Sequence, residues 1–244
     1  MHSSDPLVLL HAFPLDSRMW DGVRPAFGDR LVTPELPGFG GAPTAAVPDL
    51  AEAAASVLAA LDRRGIERAI VGGCSMGGYV AMALLRRAPD RVAGLVLINT
   101  KASADTAQAR AKRHANAERA EAEGIGWLAD DMLTTLLGPT TLEKRPEAEA
   151  AMRRLIADQP PAAVAWAQRA MAARPDSFDV LRAADVPALV VRGAEDALIP
   201  GEEAAAMVDA LPRGTLVELP GAGHLAPLEV PGELAAVVGG WLER

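Results

Sequence analysis

Cysteine and histidine are scarce in this sequence, and their scarcity excludes several kinds of site. The single cysteine, Cys74, cannot form a disulfide within the chain or build a thiolate metal cluster. A reducing compartment fits this composition but is not required by it. Only four histidines are present, and none is paired with another at the spacing of metal ligands. We therefore expect neither a metal site nor a cofactor.

Long apolar runs and an excess of basic residues are also lacking. The apolar run at 7–10 is too short for a signal peptide, and no later run approaches the roughly 18 residues of a membrane span. Acidic residues outnumber basic ones by 32 to 24, and the net charge of −8 disfavours nucleic acid and anionic membranes. We expect a soluble, cytoplasmic protein that acts on a small molecule, and the sequence does not indicate its oligomeric state.

Short apolar segments alternate with helix-forming segments toward both ends of the chain. The predicted strands are at 7–10, 31–33, 69–74, 92–98, 188–192 and 215–219. Asp16 can cap a short helix near 19–27, and Asp49 with Glu52 resembles a capping box for a longer helix that ends at Gly65. This alternation predicts an α/β fold with a mostly parallel sheet, helices on both faces, and ligands at the carboxyl ends of the strands.

The alternation stops between residues 101 and 179, where the composition is helical and no strand is convincing. We interpret 101–179 as an inserted helical cap on a core formed by 1–100 and 180–244. The charge-dense stretch 110–123 is most simply a solvated helix face. The bulky apolar residues of the cap could line a substrate pocket, and the alternative is that they pack within the cap. The candidates for substrate binding are Trp127, Met132, Leu136 and Trp166, with Leu133, Leu137 and Met171 as further apolar residues of the same segment.

The segment 69–80 contains a buried strand, a tight turn and a helix start without interruption, and Ser75 lies at the turn. Residues 73–77, Gly-Cys-Ser-Met-Gly, match the G-x-S-x-G nucleophile elbow, whose glycines relieve crowding around the serine. The helix that follows presents free N–H groups where an oxyanion would form. The alternative is a glycine-rich turn whose serine merely caps the helix.

Two further loops at the predicted carboxyl edge carry an aspartate and a histidine, so the three candidate residues occur in the chain in the order Ser, Asp, His. Asp196 follows the strand at 188–192, and His224 follows the strand at 215–219. A serine hydroxyl needs a base within hydrogen-bond reach, and the base needs a carboxylate that fixes its tautomer. Glu195 and Asp185 are alternative carboxylates, although only the loop after residue 192 has the right position.

The attacked carbonyl also needs donors for its developing charge, and the candidates are the backbone N–H groups of Met76 and Phe13. His11 is expected to bond within its own loop, with direct substrate contact as the alternative. Cys74 is expected to pack as a small hydrophobe. His2 and His114 are expected to lie at the surface.

In these motifs the chain resembles the α/β-hydrolase fold family from Leu7 to the C-terminus, except for the cap. The segment His11-Ala12-Phe13-Pro14-Leu15-Asp16 and the small cap are most similar to the carboxylesterase, enol-lactonase and menaquinone-pathway group. The resemblance implies Ser75 as nucleophile, His224 as general base, Asp196 as acid, and an oxyanion hole formed by Phe13 and Met76.

Two features depart from the family pattern. Ala12 stands where many members have glycine, although the Phe13 N–H should remain available. The chain also starts at what would be the family's third strand, so the usual N-terminal hairpin is expected to be missing and the sheet to have about six strands.

The predicted function is a serine hydrolase that cleaves a small carboxylic ester, thioester or lactone through an acyl-enzyme on Ser75. The apolar cap residues and acidic surface favour an uncharged or weakly charged acyl substrate. One alternative is a C–C bond hydrolase or lyase, or a proton-abstracting synthase, which an arginine cluster in the pocket would favour. The cap arginines available for it are Arg110, Arg113, Arg153, Arg154, Arg169 and Arg174. A lower alternative is a ligand-binding receptor without turnover.

Overall fold

The structure is a computed structural model that describes residues 5–244, so His2 lies outside the described residues. These residues form a six-stranded sheet in which every neighbouring pair of strands is parallel. The strands are β1 Leu7–Leu10, β2 Leu31–Val32, β3 Ala69–Cys74, β4 Val92–Ile98, β5 Ala188–Gly193 and β6 Gly214–Leu219. Their order across the sheet is β2-β1-β3-β4-β5-β6. The predicted fold class, including the number of strands, is confirmed.

The central strands are buried along their whole length because helices cover both faces of the sheet. Every residue of β1, β3 and β4 is buried, which agrees with their continuous apolar sequences. The last strand, β6, lies at an edge and is only partly buried. The carboxyl ends of β3, β5 and β6 therefore lie along one edge of the sheet, with the loops that follow them.

Helices fill the connections between the strands, and several begin at polar caps. The α-helices are α1 Arg24–Phe27, α2 Leu50–Asp62, α3 Met76–Arg87, α4 Ala107–Glu123, α5 Leu128–Leu136, α6 Pro139–Lys144, α7 Pro146–Ala157, α8 Pro161–Ala173, α9 Phe178–Ala183, α10 Gly201–Ala210, α11 Ala226–Glu229 and α12 Pro231–Leu242. Asp49 caps α2 by accepting a hydrogen bond from the Ala51 N–H at 2.8 Å. Asp16 instead caps a 3₁₀ turn, Ser17–Trp20, so the predicted helix near 19–27 is shorter than expected.

Helices α4 to α9 connect β4 to β5, and no strand interrupts them within the described chain. α4 packs along α8, which joins the two longer helices of this segment into a layer. The predicted end of the cap at residue 179 falls inside α9, and α9 packs against the core helices α3 and α10. The division into core and cap remains a proposal, and α9 belongs with the core by its contacts.

Within residues 5–244, no helix combines the length and the apolar character that a membrane span needs.

Candidate active site

Ser75 lies in a strained turn between β3 and α3. Its φ angle is +52°, a left-handed value that costs a non-glycine residue about 1–3 kcal/mol. The Ser75 N–H donates to Ile98 O at 2.9 Å, and the Thr100 hydroxyl donates to Ser75 O at 2.8 Å. The Ser75 side chain makes no capping hydrogen bond to α3. These contacts fix the turn and leave the hydroxyl free, which argues against the helix-capping interpretation.

The glycines on both sides of the elbow are required by close packing of backbone. A Cβ atom on Gly77 would collide with the carbonyl oxygen of Leu10 at the end of β1. A Cβ atom on Gly73 would collide with the backbone of Gly77. Gly77 therefore allows the start of α3 to lie against the end of β1, and Gly73 allows the tight turn from β3 into α3.

His224 and Asp196 form a buried hydrogen-bonded pair. The His224 Nδ1 atom lies 3.0 Å from Asp196 Oδ1 and 2.9 Å from Oδ2. Asp196 Oδ1 also accepts hydrogen bonds from the backbone N–H groups of Leu198 at 2.8 Å and Ile199 at 3.1 Å. With the carboxylate held in this way, the Nδ1 proton of the imidazole is directed to Asp196, and Nε2 is left as the basic nitrogen.

The alternative carboxylates are engaged elsewhere. Glu195 accepts hydrogen bonds from the N–H of Thr140 at 2.9 Å and from its hydroxyl at 2.5 Å. It therefore connects the loop after β5 that carries Asp196, the acid loop, to α6. Asp185 is exposed and precedes β5 rather than following it. Only Asp196 contacts the imidazole of His224 among these three carboxylates.

Asn99 is a site residue whose contacts the sequence did not reveal. It follows β4 with a φ of +44° and is 1% exposed. Its amide NH₂ donates to Gly223 O at 3.0 Å and to His224 O at 2.8 Å, and its Oδ1 accepts from the Gly193 N–H at 2.7 Å. Asn99 therefore connects the loop after β6 that carries His224, the histidine loop, to the last residue of β5, just before the acid loop. Its place after a buried strand beside the elbow is the only signal in the sequence.

The two candidate oxyanion donors are free of protein acceptors. Within residues 5–244, no hydrogen bond occupies the N–H of Phe13 or of Met76. Met76 is the first residue of α3, where the N–H cannot bond within the helix. Phe13 lines the same cavity as Ser75. The arrangement thus provides two N–H donors without a protein acceptor, one in the loop after β1 and one directly after Ser75.

His11 and Cys74 have structural contacts. His11 Nε2 accepts a hydrogen bond from the Leu36 N–H at 3.1 Å, and Nδ1 lies 3.1 Å from Ala12 O. Burial lowers the pKa of His11 despite the nearby Glu35 carboxylate, so the ring is neutral. Burial also raises the pKa of Cys74 well above its usual value, and its thiol donates to His224 O at 3.5 Å. Neither side chain is placed as a nucleophile.

Ser75 and His224 line one cavity of about 350 Å³, which the cap closes on one side. Its apolar lining includes three predicted substrate-binding residues, Trp127, Met132 and Leu136, together with Met171. Trp166 does not line this cavity: it is buried on α8, one and a half turns before Met171. Leu133 and Leu137 also lie outside the lining.

Three cationic side chains line the same cavity: Lys101, Lys112 and Arg113. Asp105 also lines the cavity and is buried, and it forms ion pairs with Arg113, with Arg174 at 2.8 Å and with Lys101 at 3.5 Å. Burial acts to raise the pKa of Asp105, but the neighbouring cations outweigh it and hold that pKa below its ordinary value. The cavity lining thus holds three cationic side chains and two carboxylates, those of Asp105 and Asp131, so positive charge is in excess by one.

Of the six cap arginines considered for a pocket cluster, only Arg113 lines the cavity that contains Ser75. Arg174 lies behind it, with its guanidinium 4.0 Å above the ring of Tyr79. Arg153 and Arg169 form ion pairs with Asp130 and Glu121. His114 is exposed on α4, as expected.

A buried acid–histidine pair, a serine at a strained elbow and free backbone donors on a parallel sheet define an α/β-hydrolase. The chain belongs to the alpha/beta hydrolase family, whose sequence model matches residues 7–237. The resemblance noted in the motifs and the predicted enzyme class are confirmed.

Three known proteins illustrate this relationship. A pimeloyl-[acyl-carrier protein] methyl ester esterase of Aromatoleum aromaticum is 33% identical over 247 residues, which cover 95% of this chain and 96% of that protein. The dihydrolipoyllysine-residue acetyltransferase component of the acetoin cleaving system of Pseudomonas putida is 35% identical over 92% of this chain, which spans only 60% of that protein. The structure of a thermophilic esterase from Thermogutta terrifontis superimposes with a TM-score of 0.94 at 38% identity, covering 98% of this chain and 89% of that one.

Proposed function

We propose that this protein hydrolyses small carboxylic esters, thioesters or lactones through an acyl-enzyme on Ser75. The observation that carries the proposal is the buried His224–Asp196 pair at 2.9 Å, whose histidine lines the same cavity as the elbow serine. The two esterases among the related proteins support the same reaction class.

In the first half of the reaction, Ser75 Oγ attacks the carbonyl carbon while His224 Nε2 takes the hydroxyl proton. Asp196 stabilises the imidazolium that forms, and it keeps the ring oriented. The N–H groups of Phe13 and Met76 stabilise the negative oxygen of the tetrahedral intermediate, and each such donor contributes about 2.7–4 kcal/mol in comparable sites. The intermediate then collapses as His224 returns the proton to the leaving alcohol, thiol or lactone oxygen.

In the second half, water replaces the leaving group. His224 removes a proton from this water as it attacks the acyl carbon, and the same donors hold the second oxyanion. Collapse of the intermediate returns the proton to Ser75 and releases the acid. Chemistry of this kind needs only the groups of the chain and water.

The cations of the cavity favour substrates that carry a carboxylate away from the reacting carbonyl. Asp131, a second acidic lining residue, is paired at 3.1 Å with Arg119, a cation outside the lining. Lys101 and Arg113 lie beside the apolar residues of the cap, so an acyl chain with an anionic end would match both features. The expectation of an uncharged or weakly charged substrate rested on the apolar cap and the acidic composition, and the cavity cations favour the charged end of that range.

A second candidate is a C–C bond hydrolase or a proton-abstracting synthase with the same three residues. Arg113 in the cavity is the observation that favours it, because a cation can stabilise an enolate or a second carboxylate. Cleavage of a β-diketone by an enzyme that leaves p-nitrophenyl esters intact would support this candidate over the esterase.

Labelling with a fluorophosphonate tests the nucleophile directly. We expect wild-type protein to be labelled and to hydrolyse p-nitrophenyl esters, and Ser75→Ala to lose both properties while remaining folded. Ser56→Ala serves as the control, because its hydroxyl donates to Ala53 O on α2 and lies outside the cavity. Well-folded wild-type protein that takes no label would contradict the proposal and favour a ligand-binding receptor.

A further inference from the structure

Glu229 is a buried acidic residue that the proposed reaction does not use. It ends α11, five residues after His224, and is 2% exposed. Among the ion pairs of residues 5–244, none includes Glu229. A buried carboxylate without a cation must be compensated by hydrogen bonds, so its donors indicate what it holds in place.

Two of these donors flank the catalytic histidine on either side. The Gly223 N–H donates to Glu229 Oε2 at 2.9 Å, and the Leu225 N–H donates to Oε1 at 2.9 Å. The two carboxylate oxygens therefore fix the backbone immediately before and immediately after His224. A side chain in this position restricts the backbone from which the imidazole of His224 projects.

The other two donors come from the cap: Gly138 lies between α5 and α6, and Thr141 lies in the first turn of α6. The Gly138 N–H donates to Glu229 Oε2 at 2.9 Å, and the Thr141 hydroxyl donates to the same oxygen at 2.7 Å. The Leu225 N–H also lies 3.1 Å from Leu136 O. A Cβ atom on Gly223 would collide with Gly138 N, so the two segments touch through backbone. The cap and the histidine loop thus share one carboxylate oxygen.

We propose that Glu229 is a positioning residue that holds His224 in its reactive place and couples that place to residues 136–141 of the cap. Leu136 lines the cavity that contains Ser75, so the same segment forms part of the cavity wall and binds the Glu229 carboxylate. The inference rests on the proposed role of His224 as general base. A displacement of about 1 Å in a reacting group can cost about 10²-fold in rate, which sets the expected scale.

The decisive variant is Glu229→Gln, which keeps the shape but turns an NH₂ toward groups that are all donors. We expect kcat to fall by roughly 10- to 100-fold with KM within about threefold of wild type, and fluorophosphonate labelling of Ser75 to slow in parallel. Amide hydrogen exchange at Gly223 and Leu225 should accelerate, and this readout does not depend on turnover.

Neighbouring threonines on α6 provide a matched pair that separates positioning from general stability. Thr141→Val removes the cap hydroxyl that donates to Glu229 and that accepts a hydrogen bond from Arg145 Nη1 at 3.1 Å. We expect kcat to fall about threefold and Thr141→Ser, which keeps both bonds, to restore it. Thr140→Val breaks the comparable bond from α6 to Glu195 and should leave kcat within about twofold of wild type. This pair keeps the test informative if Glu229→Gln fails to fold.

Wild-type kcat in folded Glu229→Gln, or equal effects of Thr140→Val and Thr141→Val, would overturn the inference. A rise in KM alone would also count against it, because a positioning residue of the base should act on the chemical step. Failure of the proposed function has a different signature: Ser75→Ala would then keep its activity, whatever the Glu229 variants do.

Discussion

At the scale of single residues, the site depends on charges and dipoles that are fixed before a substrate arrives. Asp196 illustrates this, because two backbone N–H groups hold the same carboxylate that meets His224 Nδ1. The carboxylate can therefore stabilise an imidazolium without moving. The side-chain NH₂ of Asn99 donates to the backbone carbonyl of His224. His224 is therefore held at its side chain by Asp196 and at its backbone by Asn99.

Asp196→Asn tests the acid member of the triad. An amide cannot offer the same negative charge, and it allows the wrong tautomer of His224, so we expect kcat to fall by about 10³- to 10⁴-fold with little change in KM. Steady-state kinetics on p-nitrophenyl acetate measure the loss. Asp185→Asn, in an exposed position before β5, is the control and should keep normal rates. A loss below about tenfold in Asp196→Asn would exclude this residue as the acid.

At the scale of elements, the segment after the end of β4 and the first turn of α3 supply the side chains that limit what fits beside Ser75. Lys101 follows β4 by three residues and directs positive charge into the cavity, while Asp105 binds two arginines and so neutralises Lys101 only in part. Tyr79, one turn after Ser75 on α3, lines this cavity and also a second one of about 260 Å³. These side chains set the charge and the depth of the pocket.

Lys101→Met removes the ammonium but keeps most of the apolar stem. If the cavity binds anionic acyl chains, kcat/KM for a monomethyl dicarboxylate ester should fall about tenfold, which corresponds to about 1.4 kcal/mol, while the matching neutral methyl ester changes little. Arg110→Met removes a cation from the exposed side of α4 and is the matched control. Equal losses on both esters would show that Lys101 supports structure rather than substrate charge.

Tyr79→Ala should join the two cavities, because Tyr79 lines both of them and the substitution removes its ring from their shared wall. We expect the preferred p-nitrophenyl ester to become longer by several carbons. Kinetics over a series from acetate to dodecanoate measure the shift. Arg87→Ala changes only the wall of the second cavity and should leave the profile as it is. An unchanged preference in Tyr79→Ala would mean that the two cavities stay separate.

The elements also show which features the sequence could predict. The elbow at Ser75 and the loops of Asp196 and His224 are local patterns at strand ends, and parallel topology alone places strand ends along one edge. The cap residues depend on how helices pack, which apolar character does not determine: Met171 faces the cavity, whereas Trp166 on the same helix does not. The partners of Asn99 are backbone groups, and so are three of the four donors to Glu229. Such contacts leave no pattern of side chains in the sequence from which they could be predicted.

At the scale of the whole molecule, burial of polar groups ties stability to pH. Asp16 and Asp105 have lowered pKa values, since hydrogen bonds and cations outweigh the effect of their burial. Their contribution to stability is complete above the unfolded carboxyl pKa of about 3.9 and is lost only as the pH falls below it. These two residues therefore affect unfolding in strong acid and leave the range between pH 5 and 7 to other groups.

His11 acts in that range, because burial lowers its pKa in the folded protein while an unfolded histidine titrates near about 6.5. Between the folded pKa and about 6.5 the unfolded chain binds the extra proton, so stability is complete above about pH 6.5 and falls as the pH drops below it. The unfolding free energy changes by at most about 1.4 kcal/mol per pH unit in this range. Attraction to Glu35, whose Oε2 lies 3.7 Å from His11 Nε2, raises the folded pKa and so narrows the range.

Urea denaturation from pH 7 to pH 5 should therefore show a shallower loss of unfolding free energy in His11→Asn than in wild type. His11→Asn will also be less stable at every pH, because the Leu36 N–H loses its imidazole acceptor, so the slope and not the absolute value is the readout. His114→Asn, which changes an exposed histidine on α4, should keep the wild-type slope. If both variants keep that slope, the acid sensitivity arises at another residue, and His11 is not held neutral by its burial.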